Sequence, residues 1–97
     1  MAQKVIWTSE AEENYRSMQD YLLEAWSDEI AERFADEVLG KVDTLETMPF
    51  AGKQTGYLSA VRQILAKPYC MIYYTVVQDL VIILNLRDTR KDSEGLF

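Results

Sequence analysis

Arg62, Arg87, Arg90 and Lys91 place four cations in the second half of the chain, three of them within five residues. Asn85 precedes that group, and Tyr73 lies in the apolar stretch before it. A guanidinium offers five donors in a fixed fork, which suits carboxylates and phosphates. It holds its proton too tightly to act as a general acid or base. The sequence has no histidine. Imidazole bases, Ser-His and Cys-His pairs and histidine metal sites are therefore excluded. The single cysteine, Cys70, rules out an intrachain disulfide and makes a thiolate zinc site improbable. Flanked by apolar residues, and with no base to activate it, Cys70 reads as a packed side chain.

Other candidates for chemistry weaken on inspection. Glu10, Glu12 and Glu13 open a helix, where the dipole favours acids, so no metal site is expected. The loop with Gly52 and Gly56 lacks the phosphate-cradle pattern, so no nucleotide site and no cofactor are expected. Tyr69, Tyr73 and Tyr74 have faces on which bases could stack, but strand aromatics more often fill cores and sheet surfaces.

Charge is divided unevenly. Residues 1–48 carry twelve acids and four bases, net −8, and residues 49–97 carry four acids and six bases, net +2. The total of −6 opposes long-range attraction to nucleic acid. Any anion-facing surface must come from the second half. The first residues lead straight into polar sequence with no signal-peptide core. The longest apolar stretch, residues 69–86, is broken by Gln78-Asp79 and reads as a hairpin rather than a membrane span. A cytoplasmic protein with no membrane partner is the expectation.

These residues need elements to hold them. Ninety-seven residues allow one domain, spanning 1–97, and 48% hydrophobic content is enough for one core. Residues 4–8 read as a short strand. Thr8 or Ser9 caps a first helix, with Glu12 completing a capping box after Ser9 and a stripe at Ala11, Tyr15, Met18, Leu22 and Ala25. Trp26 closes it. Ser27 caps a second helix with Ile30, Phe34, Val38, Val42 and Leu45 on one face, ended by Pro49. A link of about two residues predicts an antiparallel helical hairpin. Residues 49–57 read as a loop, and 58–65, 69–77 and 80–86 as strands, followed by a polar tail from 88 to 97. The order β-α-α-β-β-β predicts an α+β domain, with the helical hairpin packed on one face of a small sheet.

Strand alternation then assigns faces. In the last strand Leu80, Ile82, Leu84 and Leu86 share one side, while Val81, Ile83, Asn85 and Arg87 share the other. The all-apolar set is expected to meet the helices, leaving Asn85 and Arg87 on the uncovered face. Neither side of 58–65 is clearly the core side. Arg62 is supposed to join Arg87 there, with Arg90 and Lys91 just beyond, in a basic and partly apolar concavity. The plainer alternative is that these arginines pair with acids such as Asp88 and Asp92.

The succession of pieces resembles a known group. A strand ending in Trp7 and a helical hairpin come first. Leu45, Met48-Pro49 and Gly52 follow, then Val61-Arg62-Gln63-Ile64-Leu65 and Pro68-Tyr69-Cys70-Met71-Ile72-Tyr73-Tyr74. Val81 to Leu84 and Asp88-Thr89-Arg90-Lys91-Asp92 complete the match. Together they are similar to the RelE/ParE superfamily of toxins from type II toxin-antitoxin modules. The resemblance implies two helices on one face of a curved antiparallel sheet. It also implies a growth-inhibiting toxin neutralised by a cognate antitoxin laid over its apolar and basic surface.

Two actions occur in that superfamily: ribosome-dependent mRNA cleavage, RelE-like, and inhibition of DNA gyrase by protein binding, ParE-like. Arg62 matches the family arginine of its strand and Arg90 the arginine after the last strand. Arg87 stands where many members place histidine, and Cys70 where the nuclease branch tends to carry arginine. The tail ends in Gly95-Leu96-Phe97, without tyrosine or histidine. As a nuclease the chain would have to use Arg62, Arg87 and Arg90, yet it lacks the acid and base that 2′-hydroxyl attack needs. The expectation is therefore a ParE-like toxin whose contact residues are Arg62, Tyr73, Asn85, Arg87, Arg90 and Lys91. A ribosome-dependent endonuclease is the alternative, and a non-toxic interaction module a second one. Direct nucleic-acid binding is not expected outside the ribosome.

Overall fold

The computed structural model describes residues 4–56, 58 and 60–90. Its elements run β1 (Lys4–Trp7), α1 (Ser9–Ala25), α2 (Asp28–Thr47), β2 (Lys53–Gln54), β3 (Val61–Ala66), β4 (Cys70–Val77) and β5 (Leu80–Asp88). The five strands form one sheet in the order β1-β5-β4-β3-β2. Strands β3 to β5 pair antiparallel as expected and β2 adds antiparallel to β3, whereas β1 lies parallel to β5. The long α1–α2 connection permits that parallel return, which a tight hairpin would not.

Thr8, rather than Ser9, caps α1: its Oγ1 accepts from the Ala11 N–H at 3.1 Å. The same hydroxyl lies 3.0 and 2.9 Å from the carbonyl oxygens of Ile83 and Leu84, tying the cap to the sheet. Ser27 caps α2 through the Ile30 N–H. With only Trp26 and Ser27 between them, the two helices turn back on each other.

The core lies between the hairpin and one face of the sheet. Val38, Val42 and Leu45 of α2 and Ala11 of α1 meet Ile72 and Tyr74 of β4 and Val81, Ile83 and Leu86 of β5. Each buried Leu or Ile side chain contributes about 1.5–3 kcal/mol relative to exposure. Toward the hairpin turn this support ends. Tyr21, Leu23 and Trp26 are exposed, and Leu22 and Ile30 are half-buried.

Two readings of the sheet need correction. Lys53 and Gln54, taken as loop, pair with Gln63 and Arg62 as β2, so the strand after them starts at Val61 instead of 58. Face alternation in β5 also breaks. Tyr73 pairs with Asn85 but Tyr74 pairs with Ile83, leaving Leu84 as the extra residue of a bulge. The helices therefore receive Val81 and Ile83 before the bulge and Leu86 after it; Leu80, Ile82 and Leu84 lie on the other face. At the β4–β5 turn Gln78 has φ 57°, the left-handed region that a two-residue hairpin demands. No helix among the described residues is long and apolar enough to cross a membrane.

Candidate functional site

Register fixes where each candidate side chain goes. The bulge places Asn85 and Arg87 on the face away from the helices, where both are half-buried. Asn85 lies opposite Tyr73, which lies opposite Gln63, and Arg87 lies opposite Met71. Tyr73, Asn85 and Arg87 therefore share one patch; alternation implied this face for Asn85 and Arg87, and the β4–β5 register adds Tyr73. The bulge was invisible in sequence, and Asn85 and Arg87 reach the expected face only because it resets the phase that Val81 and Ile83 begin. The Asn85 Oδ1 is buried without a hydrogen-bond partner among the described residues.

Arg62 does not join them. It lies opposite Tyr74, in line with Ile64 and Ala66, on the face that carries the helices. Its Nη1 donates to the Gly52 carbonyl at 2.7 Å, and its guanidinium carbon sits 4.9 Å from the centre of the Phe50 ring. The Gly52 N–H in turn donates to the Tyr74 hydroxyl at 2.8 Å. Arg62 thus clamps the segment after α2, and the supposed concavity combining Arg62 with Arg87 does not form. Sequence could not settle this, because both sides of the strand mix apolar and polar residues.

Arg90 is closed into a local ion pair. Its Nε and Nη2 donate to the two carboxylate oxygens of Asp88 at 3.1 and 2.9 Å, and its backbone N–H donates to Oδ1 at 2.9 Å. Its guanidinium also stacks on Tyr69 at 4.4 Å. The hydrogen bonds it donates to Asp88 hold its proton more firmly than usual. Here the plainer alternative, pairing with a neighbouring acid, describes the observed geometry. Lys91 lies outside the described residues.

A feature the sequence did not announce is a groove of about 800 Å³ under the overhanging end of the helical hairpin. Met18, Tyr21, Leu22, Trp26, Ile30 and Phe34 line its helical side, and Tyr69, Cys70 and Leu86 its sheet side. Glu37, Arg33, Lys67 and Arg90 are among its charged lining residues. The signal was the lower half of both helical stripes, Leu22 and Ala25 with Ile30, which continue past the buried core and stay half-buried or exposed. Cys70 contributes no nucleophile to this groove. Burial, then the nearby Asp88 charge, pushes its thiol up to about 12, and its Sγ rests 3.9 Å from Met18 Sδ.

Two helices on one face of a five-stranded sheet, with an apolar groove beneath their turn, define a small two-layer α+β domain. The family described as ParE toxin of type II toxin-antitoxin system, parDE, matches residues 5–93. The chain belongs to that family.

Solved structures agree on the fold. The chromosomal ParDE system from P. aeruginosa superposes with a TM-score of 0.76 at 15% identity, covering 90% of this chain and 96% of that one. The RelBE2 toxin-antitoxin complex from Mycobacterium tuberculosis gives 0.62 at 15% identity, covering 91% and 99%. The E. coli DinJ-YafQ toxin-antitoxin complex gives 0.65 at 7% identity, covering 93% and 96%. No curated protein matches the sequence.

Proposed function

We propose that this toxin inhibits growth by binding a protein target, ParE-like, with DNA gyrase as the target, in the cytoplasm. The observation that carries this reading is the separation of the arginines. RNA cleavage needs cations converging on one phosphate together with an acid and a base. Here Arg62 and Arg87 lie on opposite faces of the sheet, and the Arg90 fork is occupied by Asp88. With no histidine in the chain, proton transfer would fall to groups poorly suited to it. The Tyr73, Asn85 and Arg87 patch suits protein contact better than phosphoryl chemistry.

A cognate antitoxin is the second partner. The similar structures include complexes of toxin with antitoxin. The groove under the hairpin is apolar with charged residues around it, as a peptide segment with one apolar face requires. Expression alone, and together with the product of the adjacent gene, tests the reading. Growth arrest relieved by the second product, with a stable complex of the two, is expected. Unimpaired growth and no complex would refute it. Primer extension after induction separates the ribosomal alternative, which predicts cuts inside translated codons.

A further inference from the structure

The segment after α2 carries more exposed apolar surface than a connection needs. Met48 is 58% and Phe50 62% exposed, and Phe50 is the most exposed of the large apolar side chains among the described residues. The segment is nevertheless pinned along its length. The Ala51 N–H donates to the Met48 carbonyl at 3.1 Å, and the Gly52 N–H to the Tyr74 hydroxyl at 2.8 Å. The Thr55 N–H donates to the Val61 carbonyl at 2.9 Å, and the Thr55 hydroxyl to the Leu58 carbonyl at 2.9 Å. The Arg62 guanidinium holds Gly52 and lies against the Phe50 ring. Apolar anchors on a fixed backbone give up little entropy when a partner arrives.

Charge supplies a second, independent observation. Residues 47–78 include no acid and three bases, Lys53, Arg62 and Lys67, in a chain of net −6. The ion pairs among the described residues join Arg16 to Glu12, Arg33 to Glu29 and Arg90 to Asp88; none reaches Arg62 or Lys53. Arg62 is half-buried, and its contacts are a carbonyl oxygen and a ring face, neither of which cancels a full positive charge.

We propose that Met48 and Phe50, with Arg62 behind them and Lys53 beside them in sequence, form a docking knob for a protein surface that offers an apolar socket edged by carboxylates. Its occupant is the toxin's target, so the inference rests on the protein-binding reading above. A nucleic acid fits this knob less well. Met48 offers no face for base stacking, and the acids of α1 and α2 repel a phosphate backbone. The knob is also separate from the groove. Ile30, in the groove, and Met48 stand about 27 Å apart along α2 at 1.5 Å per residue.

The test compares the wild type with the Met48→Ser/Phe50→Ser double variant, Lys53→Glu and, as an exposed apolar control on α2, Leu39→Ser. Affinity for purified DNA gyrase and growth inhibition on induction are measured, with a thermal melt for each protein. The double variant is expected to stay folded, melting a few degrees lower for the lost Arg62–Phe50 contact, to lose about 1,000-fold in affinity, as two anchor side chains of hot-spot size imply, and to lose its growth inhibition. Leu39→Ser keeps both activities, and Lys53→Glu slows association by about 10-fold at low salt. A folded double variant with wild-type affinity and toxicity overturns the knob and leaves the proposed function standing. A wild type that neither binds gyrase nor slows growth overturns both. If the wild type slows growth without binding gyrase, the growth readout decides: loss in the double variant supports the knob, and retention overturns it. Tight binding of a 20-nucleotide single-stranded RNA that the double variant loses would assign the knob to nucleic acid and overturn the proposal.

Discussion

Gly52→Ala is the sharpest perturbation of the clamp that holds the segment after α2. A Cβ built at Gly52 falls 2.6 Å from the Gln63 carbonyl oxygen, 2.6 Å from the Tyr74 hydroxyl and 2.9 Å from Tyr74 Cε1. None of these gives way easily. Gln63 O belongs to the backbone of β3, and Tyr74 is completely buried. The segment must move instead, stretching the Gly52–Tyr74 and Arg62–Gly52 hydrogen bonds. Forcing a methyl into a filled site costs about 1–3 kcal/mol, and leaving the buried tyrosine hydroxyl poorly satisfied costs about 1–3 kcal/mol more. The sum is about 2–6 kcal/mol, and its centre near 4 kcal/mol corresponds to a fall in Tm of roughly 16–32 °C for a domain of this size. Urea unfolding of Gly52→Ala, Tyr74→Phe and the pair measures it. In the Tyr74→Phe background the hydroxyl contact is gone, so Gly52→Ala should cost at least about 1 kcal/mol less there. A loss below about 0.5 kcal/mol for Gly52→Ala alone, within the range of an ordinary surface change, would refute the close approach and the clamp with it.

Three further outcomes follow from the same geometry. Gln78→Gly should raise stability by about 0.5–1 kcal/mol in denaturant unfolding, because Gln78 is held at φ 57°, where glycine carries no steric penalty. Cys70, with its thiol pushed up from near 9 to about 12, binds its proton more tightly folded than unfolded, so between those values stability falls as pH rises. At pH 8 its alkylation should run about 1,000-fold slower in the folded protein than in urea, and equal rates would contradict the burial. Asn14→Ala should cost about 1–2 kcal/mol, because Asn14 Oδ1 accepts from the Leu86 N–H at 3.0 Å just past the point where β1 leaves the edge of β5.

The helical half of the fold was legible because its signals are local. Ser27 before Asp28 and Glu29, the four- and three-residue spacing from Ile30 to Leu45, and the stop at Pro49 each act within a turn or two. The sheet depends on partners distant in sequence, and there the reading thinned. Two residues, Lys53 and Gln54, carry no strand pattern of their own and become β2 only by pairing with β3. The bulge at Leu84 reverses which of Val81 and Ile82 enters the core, and both are equally apolar, so alternation could not reveal it. The candidate site suffered most. Asn85 and Arg87 were placed on the correct face, but Arg62 was assigned by supposition. The carbonyl and aromatic ring that claim its guanidinium belong to a segment whose path the sequence does not specify. The Arg90–Asp88 pair, by contrast, is a two-residue contact and could be anticipated from spacing alone.

The central claim is action by protein contact without RNA chemistry, and a DNA supercoiling assay with purified gyrase tests it most directly. The purified toxin should abolish supercoiling as its concentration reaches that of the enzyme, and pre-mixing with antitoxin should restore it. Gyrase that supercoils normally at a large excess of toxin, while the same protein still arrests growth and transcripts are cut within translated codons, would contradict the account.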